Sequence, residues 1–171
     1  MRDRVAQELR LLFLKLLWKY IKPMPEEETI RRAEEDKSEG KSPSVQAGEF
    51  VREEMHHIRE GKHGARSAKQ AVAIGLSKAR RAGVKLGQPK ASRTSRATRK
   101  KARQDTKRGR HPRKPSAKRS RGITRALKRE GHKAASSRAL SRQARSAASR
   151  RTRKERSAAG KKAARTRARR R

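Results

Sequence analysis

SPSVQAGEFVREEMHHIREGKHGARSAKQAVAIGLSKARRAGVKLG, residues 42–87, is the stretch in which helix start, periodicity and stop signals all agree. Ser42-Pro43 is an N-cap followed by proline at the first helical position. Ala47, Phe50, Val51, Met55 and Ile58 then recur near the 3.6-residue period, with Glu49, Arg52, Glu53 and Arg59 on the other side. Gly61 stops that helix. Ser67-Ala68-Lys69-Gln70 opens a second one as a capping box, in which Ser67 and Gln70 satisfy each other's backbone donors. Ala71, Val72, Leu76, Ala79 and Ala82 continue it, and Gly83 stands at the left-handed C-cap with Val84 able to touch Ala79. Ala71, Gly75 and Ala79 are small enough to let the two backbones approach closely. The stretch reads as a helical hairpin, too small for a self-sufficient core. It is expected to dimerise, to borrow another helix, or to rest loosely on its ligand.

Upstream, residues 23–41 form an acidic linker. Glu26, Glu27, Glu28, Glu34, Glu35, Asp36 and Glu39 face only Arg31, Arg32, Lys37 and Lys41. A short exposed helix ending at Gly40 is compatible with it. Residues 1–22 carry Leu9, Leu12, Phe13, Leu16, Leu17, Tyr20 and Ile21 at helical spacing and read as an amphipathic helix. A packing role is ranked above a membrane-surface role for it, and a secretory signal is disfavoured because Lys15 splits the apolar run. Met24-Pro25-Glu26 also looks like a natural chain start, in which case the preceding residues are a mis-set start.

Downstream lies the charge. Residues 88–171 hold 34 Lys and Arg against Asp105, Glu130 and Glu155, a net +31 out of +37 for the chain. They contain no aromatic residue, and Ile123, Leu127 and Leu140 are their large aliphatics. Such a segment repels itself and has little apolar surface to offset the entropy of ordering. It reads as a basic disordered low-complexity tail, Pro-bearing up to about residue 120, with an inducible helix near 123–151 that forms once phosphates quench the charge. The fold class expected is mostly α and disordered: the small hairpin, the N-terminal amphipathic helix and the long basic tail.

Composition excludes several function classes. With 30% hydrophobic, 2% aromatic and 40% charged residues, the chain cannot form the dry pocket that nucleophilic catalysis or a small-molecule substrate needs. No enzyme activity, cofactor or substrate is expected. Absence of cysteine removes disulfides and thiolate metal sites. Glu53, His57 and Glu60, with His56 and His63 nearby, match no established ligand spacing, so no metal is expected. Stacking platforms for single strands or unpaired RNA bases are missing from the basic part. A dense line of phosphates is the partner class that remains.

The candidate phosphate contacts fall in two sets. Lys62, Arg66, Ser67 and Lys69 cluster at the start of the second helix, where free N–H groups and the positive dipole end favour an anion. Gly61 and Gly64 are expected to let the backbone approach a phosphate there, the alternative being an ordinary capped turn. In the tail the candidates are Arg99, Lys100, Lys101, Arg119, Arg121, Arg150, Arg151, Arg169, Arg170 and Arg171.

Gly48–Leu86 resembles a family of small, basic, functionally uncharacterised bacterial proteins, through Ser-x-Lys-Gln-Ala-x-Ala-Ile at Ser67–Ile74 and Ser-x-Ala-Arg-x-Ala-Gly at Ser77–Gly83. The family implies no activity. In composition the tail is similar to linker-histone tails and bacterial histone-like proteins. Together these readings lead to a histone-like, nucleoid-associated protein of the cytoplasm that binds DNA without sequence preference and bridges duplex segments. An RNA- or ribosome-associated role and a membrane-surface adaptor through residues 1–22 are the alternatives. A homodimer is allowed.

Overall fold

In the computed structural model, residues 26–111 and 116–168 are described. They form seven α-helices: α1 Glu27–Ser38, α2 Pro43–Arg59, α3 Ala68–Arg81, α4 Arg96–Arg110, α5 Ala117–Lys128, α6 Ser137–Ser149 and α7 Arg153–Ala168. Two 3-10 turns, Ala91–Arg93 and His132–Ala135, complete the order, and no strand occurs among the described residues. The helix expected over 1–22 lies outside them, as do Arg169, Arg170 and Arg171.

Helices α2 and α3 pack on one another and set the frame. Ser42 occupies the N-cap of α2 with Pro43 behind it, but its hydroxyl meets Ser44 Oγ at 2.9 Å, not a backbone N–H. Gly61, at φ 74°, ends α2 in the left-handed conformation that glycine adopts without a Cβ clash, and the Lys62 N–H returns to the His57 carbonyl at 3.0 Å. Ser67 Oγ accepts from the Gln70 N–H at 3.2 Å. The reciprocal bond differs from the expected box. Gln70 Oε1 accepts from the Arg66 N–H at 3.0 Å, one residue earlier, because the chain bends sharply into α3. At the far end Gly83 has φ 94° and the Val84 N–H reaches the Ala79 carbonyl at 3.1 Å. Ala71, Gly75 and Ala79 line the buried face of α3. A Cβ on Gly75 would stand 2.7 Å from Val51 Cα, so the two backbones are as close as glycine permits.

This pair is covered on two sides by segments expected to be open. The acidic segment is not a solvated linker but a helix whose inner face is Thr29, Ala33 and Asp36, at helical spacing. Through it Ala33 joins Ala47, Phe50 and Ala79 in one apolar cluster, flanked by Ile30, Leu76, Val84 and Leu86. On the other side the tail contributes Ala134 and Ala135 to a second cluster with Met55, Ile58, Ala65 and Ala71. Two methyl groups replace the large side chains whose lack argued against folding.

The expectation of a disordered tail therefore gives way to helices. Helix α4 rests on α3 through Ala102 and Asp105, both buried, and Gly109. These three positions, three and four residues apart, share one face. A Cβ at Gly109 would meet the Arg80 carbonyl oxygen at 2.5 Å, and Asp105 Oδ2 accepts from Ser77 Oγ at 2.8 Å. The cations that were expected to drive the segment open lie on the other faces, where water screens them. Helix α7 starts with a reciprocal box: the Glu155 N–H donates to Thr152 Oγ1 at 3.3 Å and the Thr152 N–H to Glu155 Oε2 at 3.1 Å. Glu155 also pairs with Lys90 and Arg93, tying α7 to the first 3-10 turn.

Candidate nucleic-acid interface

Helix α3 begins beside the second 3-10 turn and α6, and the three enclose a groove of about 400 Å³. Its cations are Arg66 and Lys69 from the start of α3, Lys133 from the turn and Arg142 from α6, with Ser67, Gln143 and Ser146 between them. Among the described residues no carboxylate lines it. Arg66 and Lys69 are exposed, as are Lys133 and Arg142, so the four charges face solvent. Burial of Ala134 and Ala135 fixes the backbone of the turn from which the exposed Lys133 extends. A second groove of about 440 Å³ lies across the same turn, lined by Arg59, His132, Lys133 and Ser136. There Arg59 Nε donates to the Ala135 carbonyl at 3.0 Å.

Of the first predicted set, the structure brings Arg66, Ser67 and Lys69 together and leaves Lys62 out. Lys62 Nζ lies 3.1 Å from Glu26 Oε1 and 3.1 Å from Glu60 Oε2. Glu26 is held by this contact and, more strongly, by His57, and its carboxyl is pushed down to about 2. The expected backbone approach at Gly64 is closed. Its N–H donates to the Leu127 carbonyl at 2.9 Å and the Ala65 N–H to the Gly131 carbonyl at 3.1 Å. Gly64 is glycine because a Cβ would overlap the Glu130 carbonyl, at 1.9 Å. The loop thus caps the C-terminal end of α5, where helix carbonyls otherwise lack donors. Gly61 is spent on ending α2.

In the tail Arg99, Lys100 and Lys101 stand exposed on α4, Arg119 and Arg121 on α5, and Arg150 and Arg151 between α6 and α7. Lys101 Nζ is 3.4 Å from Asp105 Oδ1. These residues do not converge on one site. Sequence reading missed Lys133 and Arg142, since nothing in a basic tail marks which two of 34 cations will fold onto the hairpin.

A different cluster is buried under the hairpin. Glu53 and Glu54 have side chains 2% and 0% exposed, with Lys78 between them at 7%. Lys78 Nζ is 3.2 Å from Glu53 Oε1 and 2.9 Å from Glu54 Oε2. Glu54 Oε1 has no hydrogen-bond donor and faces His63 Nε2 at 3.5 Å. Burying one ammonium against two carboxylates costs more solvation than a surface pair and leaves one negative charge unmatched. Arg80, on the next turn of α3, is itself desolvated, which lowers its pKa against the opposing pull of Asp105.

The chain is thus an all-α protein over its described residues, with most of its cations outside and a knot of Glu53, Glu54 and Lys78 inside. Residues 41–91, which span α2 and α3, match a family of unknown function, DUF6496. No curated protein and no solved structure matches the chain. Among the described residues no helix is long and apolar enough to cross a membrane.

Proposed function

We propose that this protein binds the phosphate backbone of DNA without sequence preference, in the manner of a histone-like nucleoid-associated protein. The observation that carries the reading is the four-cation groove at the start of α3, which gathers Arg66, Lys69, Lys133 and Arg142 with no acid among its lining residues. Free N–H groups and the positive end of the helix add to the same field. The exposed cations of α4 to α7 then extend contact along a duplex and reach a neighbouring one. No aromatic residue lines the groove among the described residues, and its four cations outnumber its single amide, Gln143, so affinity comes chiefly from charge.

The test is a salt titration of binding to a mixed-sequence duplex. About ten phosphate contacts give a slope of log affinity against log salt near −9, whereas the groove alone gives about −3.6. Replacing Lys133 and Arg142 together with alanine lowers the slope by about 2 while leaving sequence preference flat. A wild-type slope shallower than about −3 refutes the reading, and stronger binding to structured RNA than to duplex DNA transfers it to RNA.

A further inference from the structure

We propose that Glu54, His57 and His63 form a binding site for a zinc-class divalent cation. One ligand atom from each lies within 4.8 Å of the others. Glu54 and His57 are three residues apart on α2 and share a face, and His63 reaches them from the loop that follows. Two imidazoles and one carboxylate are a ligand set that borderline divalent ions favour, with a fourth position left to solvent.

The argument begins with His63. Its Nδ1 lies 3.1 Å from the Gly64 carbonyl oxygen, which can only accept, so Nδ1 carries the proton. Nε2, the other ring nitrogen, stands 3.5 Å from Glu54 Oε1, a buried oxygen with no hydrogen-bond partner among the described residues. A cation between the two would take a lone pair from each. With metal–ligand bonds of 2.0–2.1 Å, tetrahedral ligands stand about 3.4 Å apart, close to the 3.5 Å between Glu54 and His63, and the 4.8 Å limit on the trio leaves His57 a small closing movement. Both rings are also held by an acceptor of the protein, as metal-binding histidines are: His63 by the Gly64 carbonyl and His57 Nε2 by Glu26 Oε1 at 2.9 Å.

Charge favours the same occupant. Glu26, Glu53, Glu54 and Glu60 face Lys62 and Lys78, four carboxylates against two ammonium groups. Lys78 does not fill the site, because its Nζ stands on the Oε2 side of Glu54, at 2.9 Å, while Oε1 faces His63 at 3.5 Å. The side chains of His57 and His63 are 13% and 17% exposed, which leaves an entry path from solvent. A bound ion would clip the loop of residues 60–67 to α2. The site stands apart from the phosphate groove, so either reading can fail without the other.

The test uses the full chain, titrated with Co²⁺ and followed by visible absorption, and with Zn²⁺ followed by calorimetry. One ion per chain is expected, with the d–d bands of a nitrogen- and oxygen-ligated ion. H63N and E54Q should each weaken binding by about tenfold or more, and H56N, at an exposed neighbour, should leave it unchanged. Zn²⁺ should raise the melting temperature of the wild type and not that of H63N, which separates ligation from a folding defect. A full chain that binds neither ion at one equivalent overturns the site. So does binding that H56N or H132N abolishes and H63N leaves intact.

Discussion

Gly64→Ala should detach the C-terminal end of α5 and the 132–135 turn from the hairpin. A Cβ at position 64 would lie 1.9 Å from the Glu130 carbonyl oxygen, 2.4 Å from its carbon and 2.8 Å from the Gly131 oxygen. All three are backbone atoms, so no side-chain rotation relieves the overlap. The contacts at risk are the bonds from the Gly64 and Ala65 N–H groups, each worth about 1 kcal/mol net. The Arg59 bond to the Ala135 carbonyl adds about 1.5–3 kcal/mol, since its donor is charged. Burial of the Ala134 and Ala135 methyls adds about 0.8 kcal/mol each. Together these give about 5–6.5 kcal/mol, an upper figure because released backbone groups regain water. Amide hydrogen exchange reads it directly: protection at residue 65 should fall by as much as about four to five decades. Protection within α3, away from the docked turn, should fall less. Gly122→Ala is the matched control, because a Cβ there meets nothing within 4 Å. It should be neutral or stabilise α5 by about 0.5–1 kcal/mol. If Gly64→Ala leaves exchange at residue 65 unchanged, the tail does not dock on the loop and the groove containing Lys133 and Arg142 is not formed.

Lys78→Met should destabilise the fold by about 3–5 kcal/mol in urea, because it strands Glu53 and Glu54 without their counter-ion. Adding E53Q and E54Q to it should recover much of that loss, and an unchanged midpoint for the single variant would refute the buried knot. Glu155, pulled down to about 2 by Lys90, the Thr152 N–H and Arg93, carries the acid dependence of the α7 start. Its folded pKa is below its unfolded value of 4.5, so its contribution is present above about pH 4.5 and fades as pH falls toward 2. Helicity followed by circular dichroism should decline over that window, and E155Q should flatten that part of the curve.

The two central helices were legible because their signals are local. Ser42-Pro43, the periodic apolar residues, Ser67 with Gln70, and the stops at Gly61 and Gly83 act within a turn or two of chain. The box at Thr152 and Glu155 is equally local, set in strongly basic surroundings. The face of α4 was harder to see. Ala102, Asp105 and Gly109 recur at helical spacing, yet they are small or polar, and a reading tuned to large aliphatics gives them no weight. The sequence sets Glu53, His57 and Glu60 on one helical face with His56 and His63 nearby, a group that matches no ligand spacing and from which no metal is expected. Glu60 instead turns to Lys62, and Glu54 with His63 closes the trio, because a loop residue's position depends on where the chain turns.

By itself, then, the sequence determined the helical hairpin, its ends, the overall positive field and the absence of thiol chemistry, since each follows from local steric preference or from a sum of charges. Tertiary structure alone decided which of the many cations share a groove, why Gly64 must be glycine, and how a segment poor in large apolar residues is held as helices. The reason is one of distance. A backbone carbonyl at Glu130 and a loop glycine 66 positions earlier meet only when the intervening helices have packed, and no periodicity along the chain records that meeting.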